Sequence, residues 1–493
     1  MGITPQTKAN ALKPYGLIYD LLKNYGVEIK WVINPDKKKD GIDFRIIEED
    51  FRSGSFVVPV SYLTEELQIV IEKWESRGVV GKFLKESMVL PVYTKLSVAP
   101  KWTLDKQNGS IALAFFKAAG IPGEAHGGYD ALNWKTPDEL GVCDDLFIMP
   151  HAEPKFQSHK NLYYWNRTYK GAIWAGCHAG SELENLFGPV ADKKDPEIIQ
   201  LNFLSAGKPG VRTSGLVPFY EHRFATPPYN HELPADPVAQ YIGKSDKAYI
   251  NGSERILYPK KANAWRAGTK KIILDASAPD VPELSHGPGC ILIYGHGFDD
   301  PRNGLVMYQV SHDISGNKPE NIAAMRAFFN WSFYAAEIKR RENIIRFENE
   351  ANNLIFAARV GDDILDKLGI EPILFELDKS EVRSQAREKL KILANYMQSY
   401  PELLLDIRSH TDSRADDSYN LSLSQQRVQA TKEYLISMGV PETKISGRGY
   451  GETTPVNNCQ NNVPCSEVLH EQNRRSEFIL SINCELYSGN LKL

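Results

Sequence analysis

No stretch of this 493-residue chain approaches the ~20 uninterrupted apolar residues of a membrane-spanning helix, so no direct transmembrane segment is expected. The opening MGITPQTKANALKPYG also lacks the charged-then-apolar pattern of a secretory signal, so an export signal is expected to be missing from this chain. Basic stripes are absent as well. With a formal net charge of -4, and with Lys37, Lys38 and Lys39 reading as a solvated turn in NPDKKKDG, no nucleic-acid partner is expected. Cysteine is sparse, at 6 residues, and Cys143, Cys177, Cys290 and Cys484 have no metal-ligand spacing, so no metal site is expected. The glycine-rich loops around His286 and His296 lack Walker or dinucleotide spacing, and no cofactor is expected.

What remains is globular in composition, with 42% hydrophobic and 24% charged residues, and long enough for two or three domains. Residues 1–318 read as one α/β domain. Short apolar runs recur as candidate buried strands: VEIKWVI, SFVVPV, LPVYTKL, DLFIMPH, GAIWAG, KIILDA, CILIYG and LVMYQV. TEELQIVIEKWESRG and SIALAFFKAAGI between them carry helical spacing, which makes a large, mostly parallel sheet covered on both faces the economical architecture. A Pro-, Gly- and Tyr-rich insertion spans about 198–265. Residues 319–368 read as a helical linker, with Met325, Phe328, Phe329 and Phe333 packing back onto the α/β domain. Residues 369–493 form a second, smaller α+β domain.

In the second domain the informative residues are Asp412 and Arg427, in HTDSRADDSYNLSLSQQR. LLLDIRSH has strand composition, and Leu421, Val428, Thr431 and Leu435 fall near one helical face, so Asp412 ends a strand and Arg427 projects from the following helix. A carboxylate and a guanidinium fork can each satisfy one end of a ligand that carries an ammonium and a carboxylate. The plain alternative is a structural salt bridge between the two.

The surrounding motifs, EPILFELDKSEVRSQAREKLKILANYMQSYP, the Thr-Asp of SHTD, N-x-x-L-S-x-x-R from Asn420 to Arg427, ISGRGYGETTPV and NRRSEFIL, resemble the OmpA-like peptidoglycan-binding domain. The resemblance implies binding of the diaminopimelate residue of the cell-wall stem peptide, with Asp412 taking the ammonium and Arg427 the carboxylate. Thr411, Asn420 and Arg474 match positions in or beside the family's pocket. Ala415 stands where the family commonly has glycine, a loop position at which positive φ is easiest without a Cβ. Cys459 and Cys465 lie in the polar insertion NNCQNNVPCSE, where a disulfide would stiffen a short loop in an oxidising compartment, and such a paired insertion resembles one subgroup of the family. The implied location is the periplasm, associated with the outer membrane or the cell wall.

In the first domain KGAIWAGCHAGSELENLFG has the layout of a nucleophile elbow, with Cys177 at the end of a strand and the start of a helix. It is similar here to the class I glutamine amidotransferase-like superfamily. A base for the thiol would be His178 or His312. The elbow's usual first and last glycines are Ala175 and Ala179, and Ile314 stands where the superfamily has Glu. Two functions follow. One is a non-catalytic envelope protein that grips peptidoglycan and presents the amidotransferase-like domain to a partner in an envelope or surface assembly. The other is a wall-tethered cysteine amidohydrolase using Cys177.

Overall fold

The computed structural model describes residues 6–46, 49–84, 87–129, 131, 133–141, 143–186, 201–205, 216, 229–241, 257–259, 264–275, 288–311, 314–316, 318–342, 344–349, 354–359, 363–368, 370–399, 403–461 and 463–482. The chain divides into two compact units, Met1–Arg341 and Glu342–Leu493. Among the described residues no helix is long and apolar enough to cross a membrane.

The first unit opens with helix α1 (Lys13–Tyr25), whose Tyr15, Leu17, Ile18, Leu21 and Leu22 are buried and which stops at Gly26 in the left-handed region, φ 61°. Strands β1 (Ile29–Val32), β2 (Ser55–Val57) and β3 (Val92–Leu96) form a small antiparallel sheet with β1 central. Helices α2 (Glu65–Glu75) and α3 (Leu113–Ala119) occupy the two stretches read as helical. The main sheet contains β4 (Trp102–Leu104), β5 (Leu146–Met149), β6 (Ala172–Gly176), β7 (Asn230–His231), β8 (Lys270–Asp275), β9 (Gly289–His296) and β10 (Leu305–Gln309). Their order across the sheet is β4-β5-β6-β10-β9-β8-β7.

This sheet corrects the mostly parallel expectation. The joins β4–β5, β5–β6 and β6–β10 are parallel, whereas β10–β9, β9–β8 and β8–β7 are antiparallel. Strands buried on both faces are continuous apolar runs in either direction, so CILIYG and LVMYQV carry no mark of the tight Gly297–Gly304 connection that sends the chain back. VEIKWVI, SFVVPV and LPVYTKL are strands too, but of the small sheet. Most of the expected insertion lies outside the described residues.

Helix α4 (Ala179–Asn185) follows β6, and α5 (Pro319–Glu342) closes the unit. Met325, Phe328, Phe329 and Phe333 are all buried, and Phe328 meets Trp174 edge-on with ring centroids 5.1 Å apart. Here the expected helical linker ends. Ile344–Asn349 and Leu354–Arg359 pair instead as an antiparallel hairpin. In RENIIRFENE, apolar residues at helical and strand spacing overlap over too few positions for periodicity to separate them.

The second unit has a four-stranded sheet in the order β11-β14-β12-β13, with β11 (Ile373–Leu374), β12 (Leu403–Ser409), β13 (Ile445–Gly449) and β14 (Arg475–Ile482). β12 and β13 are parallel, and the crossover between them is helix α7 (Asp417–Ser437), preceded in the chain by α6 (Ser384–Ser399). A separate apolar core of Leu390, Leu393, Met397, Leu405, Ile407, Val428 and Phe478, among others, lies between sheet and helices.

Arg326 on α5 is a sharp probe of the first unit. It is 1% exposed, donates to the carbonyls of Ala11 (2.9 Å), Ser53 (3.3 Å) and Gln240 (3.3 Å), and stacks over Tyr15. Arg326→Ala removes three bonds to carbonyls of separate segments, of which Gln240 O keeps Asn330 Nδ2 at 2.8 Å, and is expected to cost roughly 3 kcal/mol in that unit's urea transition.

Candidate functional site

Strand β12 is paired on both sides, and its inward residues Leu403, Leu405, Ile407 and Ser409 alternate with half-buried ones. Its carboxyl end runs into the loop His410–Asp416, which enters α7. Backbone bonds pin the loop: His410 N donates to Arg475 O at 2.9 Å and Thr411 N to Gly451 O at 2.8 Å. Asn420, Leu423, Ser424 and Arg427 recur at three- and four-residue intervals and are all buried. Leu421, expected on that face, is 51% exposed. The glycines of ISGRGYG let the helix lie this close to β13. A Cβ on Gly447 would sit 2.6 Å from Val428 Cγ1, and one on Gly449 would sit 2.5 Å from the Gln425 nitrogen.

An open cleft of about 690 Å³ lies between the loop, the helix and the turn after β11. Asp412, Arg427, Thr411, Asn420 and Arg474 all line it, so the five residues singled out in this domain converge. Asp412 and Arg427 are not bonded to each other. Asp412 Oδ2 accepts from Arg414 Nη2 at 2.6 Å and from Arg474 Nη1 at 2.8 Å, while Oδ1, among the described residues, accepts only the Arg414 backbone N–H, at 3.3 Å. Burial pushes the Asp412 carboxyl up, but hydrogen bonds from Arg414 and Arg474 outweigh it and hold the group below the usual carboxylate value.

Arg427 is fully buried and donates to three carbonyls: Nε to Lys379 (2.9 Å), Nη1 to His410 (2.8 Å) and Nη2 to Glu376 (3.1 Å), with Phe375 beneath the fork. A guanidinium has five N–H donors, so one on each terminal nitrogen is left over. Burial, reinforced by the charge of Arg474, lowers its pKa to about 10, and it stays cationic at neutral pH. The buried Thr411 Oγ1 has no hydrogen-bond partner among the described residues. Asn420 and Arg474 are already occupied: Asn420 Nδ2 bonds Ala415 O and Glu452, and Arg474 bonds Phe375 O, Asp412 and Glu467. Ala415 is not among the positive-φ residues, so glycine's freedom is not needed there.

A family model described as the OmpA family matches residues 374–466. The peptidoglycan-associated lipoprotein of Brucella melitensis is 34% identical over 126 residues, 26% of this chain and 67% of that protein. The chain belongs to the OmpA family. Outer membrane porin F of Pseudomonas aeruginosa is 36% identical over 85 residues, covering 17% of this chain and 24% of that protein. Among solved structures, the peptidoglycan-associated lipoprotein from Burkholderia pseudomallei is similar at 28% identity, covering 23% of this chain and 92% of that one with a TM-score of 0.22.

In the OmpA domain, sequence reasoning missed Arg414, Asp378 and Tyr419, which also line the cleft. Tyr419 shares the helical face of Leu423 and Arg427 at four-residue spacing, a signal that could have found it. Arg414 bridges Asp412 and Glu467 Oε2 (2.7 Å), and nothing in its spacing marks that role. Cys459 and Cys465 are disulfide-bonded, and Ser413 Oγ donates to Cys459 O at 2.9 Å, so this short loop braces the Asp412 loop.

In the first unit, Cys177 stands between β6 and α4 at φ 53°, a left-handed conformation for a residue with a Cβ. Its Sγ lies 3.2 Å from His178 Nδ1. His312 lies outside the described residues.

Three outcomes are expected for the OmpA domain. Arg474→Ala, which breaks a buried ion pair, should cost about 3–5 kcal/mol by denaturant titration, whereas Arg414→Ala, at a partly exposed pair, should cost about 1 kcal/mol or less. Reducing the disulfide should cost about 2 kcal/mol. Because the Asp412 pKa is depressed in the fold, its contribution is present above the unfolded value of about 3.9 and lost as pH falls through the folded value. An Asp412→Asn variant should therefore lose less stability than the parent below about pH 4.

Proposed function

We propose that the OmpA domain binds peptidoglycan non-covalently by gripping the diaminopimelate residue of its stem peptide. The observation that carries this is the separate placement of Asp412 and Arg427 along one cleft: opposite charges share a cavity of about 690 Å³ without bonding to each other. A side chain ending in an α-amino acid group offers an ammonium for Asp412, where it can take the place of the partly exposed Arg414 fork at Oδ2, and a carboxylate for the two remaining Arg427 N–H groups. Thr411 Oγ1 supplies a further donor or acceptor. Leu377 and Tyr419, 51% and 47% exposed, can cover the methylene chain. The names of the related peptidoglycan-associated lipoproteins and outer membrane porin support association with peptidoglycan at the cell envelope, and a wall-binding cleft meets its ligand in the periplasm, at the outer membrane or cell wall. There the chain holds the wall with its second unit and presents the first to an envelope partner.

Amide hydrolysis by Cys177 is the second reading. The 3.2 Å thiol–imidazole contact supports it, and the burial of Cys177, 3% exposed, speaks against it.

Retention on purified peptidoglycan tests the main reading. Asp412→Asn and Arg427→Ala should each reduce retention at least tenfold, because each leaves one ligand charge without a partner. Arg427→Lys should not restore it, since one ammonium cannot reproduce the fork that serves three carbonyls and a ligand. Free diaminopimelate should compete, and cadaverine, which keeps both ammonium groups and lacks both carboxylates, should compete at least tenfold more weakly, a difference of about 1.4 kcal/mol. Equal competition by the two, or parental retention by the Asp412→Asn variant, rules the assignment out.

A further inference from the structure

The second convergence of reactive side chains lies at the carboxyl ends of two adjacent parallel strands. β5 and β6 run in register, Met149 opposite Ala175, so the residues that follow them emerge side by side. His151 comes just after β5, Cys177 directly after β6, and His178 leads into α4. One donor atom from each of the three lies within 4.8 Å of the other two. The two imidazoles meet edge to face with centroids 4.4 Å apart, and Cys177 Sγ lies 3.2 Å from His178 Nδ1.

We propose that His151, Cys177 and His178 form a binding site for a borderline-soft divalent transition-metal ion, zinc foremost. A thiolate and two neutral imidazoles are a donor set that such an ion prefers over magnesium or calcium. A tetrahedral zinc with bonds of about 2.0–2.3 Å spaces its donors roughly 3–4 Å apart, so modest side-chain rotations close this cluster on the ion. Three protein donors leave a fourth position for water or a further ligand.

Independent features agree. If His178 binds through Nδ1, its other nitrogen faces Glu182, whose Oε1 is 3.8 Å from Nε2. A carboxylate behind a ligating imidazole is the usual support that fixes its tautomer and raises its basicity. The left-handed backbone at Cys177, φ 53°, is held by its N–H against the carbonyls of Gln309 and Ser311, each at 3.1 Å. Strain of this kind persists where the surroundings enforce a functional geometry.

The Sγ–Nδ1 contact alone would serve acyl transfer equally well. His151 tips the balance: a thiol–imidazole pair has no use for a second imidazole against the first, whereas a metal ion needs the third donor. The near-complete burial of Cys177 and His178, 3% and 8% exposed, hinders attack on a bulky amide and does not hinder an ion. This site is independent of the peptidoglycan reading.

The test is titration of the chelator-stripped full chain with cobalt(II), then zinc. One cobalt per chain should bind with a thiolate-to-cobalt charge-transfer band that zinc abolishes. Cys177→Ser should remove the band. His151→Ala and Glu182→Gln should each weaken zinc binding about 10–100-fold while the far-ultraviolet circular dichroism stays parental. In the same samples zinc should protect Cys177 from iodoacetamide and a chelator should restore labelling. Cys290, buried with its thiol pushed up to about 12, serves as the unlabelled control. Cobalt binding without the band, or binding unchanged in Cys177→Ser and His151→Ala, means an adventitious ion and overturns the proposal. So does rapid Cys177 labelling that zinc leaves unaltered, and that result favours the thiol nucleophile instead.

Discussion

A guanidinium placed in a protein interior must find acceptors, and Arg427 finds three that belong to two separate chain segments. Its bonds to Glu376, Lys379 and His410 tie the turn after β11 and the loop after β12 to helix α7. Those are the three walls of the cleft. The positive charge that suits the cleft to an anionic group is therefore also the clasp that gives it shape. Phe375 beneath the fork adds cation–π attraction in a place where water competes little. Asp412 is built on the same plan: Arg474, the buried member of its pair of guanidinium partners, also bonds Phe375 O and Glu467.

Both units put their chemistry where strands run out. In the second unit the sheet is interrupted at the end of a central strand, and the following helix begins at the point where Asp412 is exposed to the cleft. In the first, β5 and β6 end together, and the helix after β6 starts with His178 already turned towards the thiol. A parallel pair followed by helices brings loops from distant parts of the sequence to one edge, which is why such edges collect ligands.

The apolar runs made the longer buried strands of the first unit legible, because a buried strand is written in its composition, whereas the half-exposed pair Ile42–Ile46 and Glu49–Arg52 was not read. Their direction was not, since CILIYG reads the same whichever way its neighbour travels. Trp102–Leu104 was missed because three residues are too few to show a pattern. The ligand cleft could be read because Asp412, Asn420 and Arg427 lie on one strand-to-helix passage, close together in sequence. The hairpin at Ile344–Arg359 could not, because its charged and apolar residues suit either period. The cluster of His151, Cys177 and His178 was hidden for another reason. Cysteine spacing along the sequence does not reveal a cluster whose members follow neighbouring strands and are brought together by the register of Met149 and Ala175.

Among the described residues Arg414 is the partner of Asp412 with substantial access to water, and it holds a second carboxylate, Glu467, through a different nitrogen. On the proposed reading, a guest ammonium that took its place at Oδ2 would trade one cation for another, and the displaced fork would keep its hold on Glu467. Entry would then be a swap of partners with little net desolvation of charge. Added salt, which screens the incoming and outgoing cations alike, should shift such an equilibrium far less than it would shift the filling of an empty anionic socket.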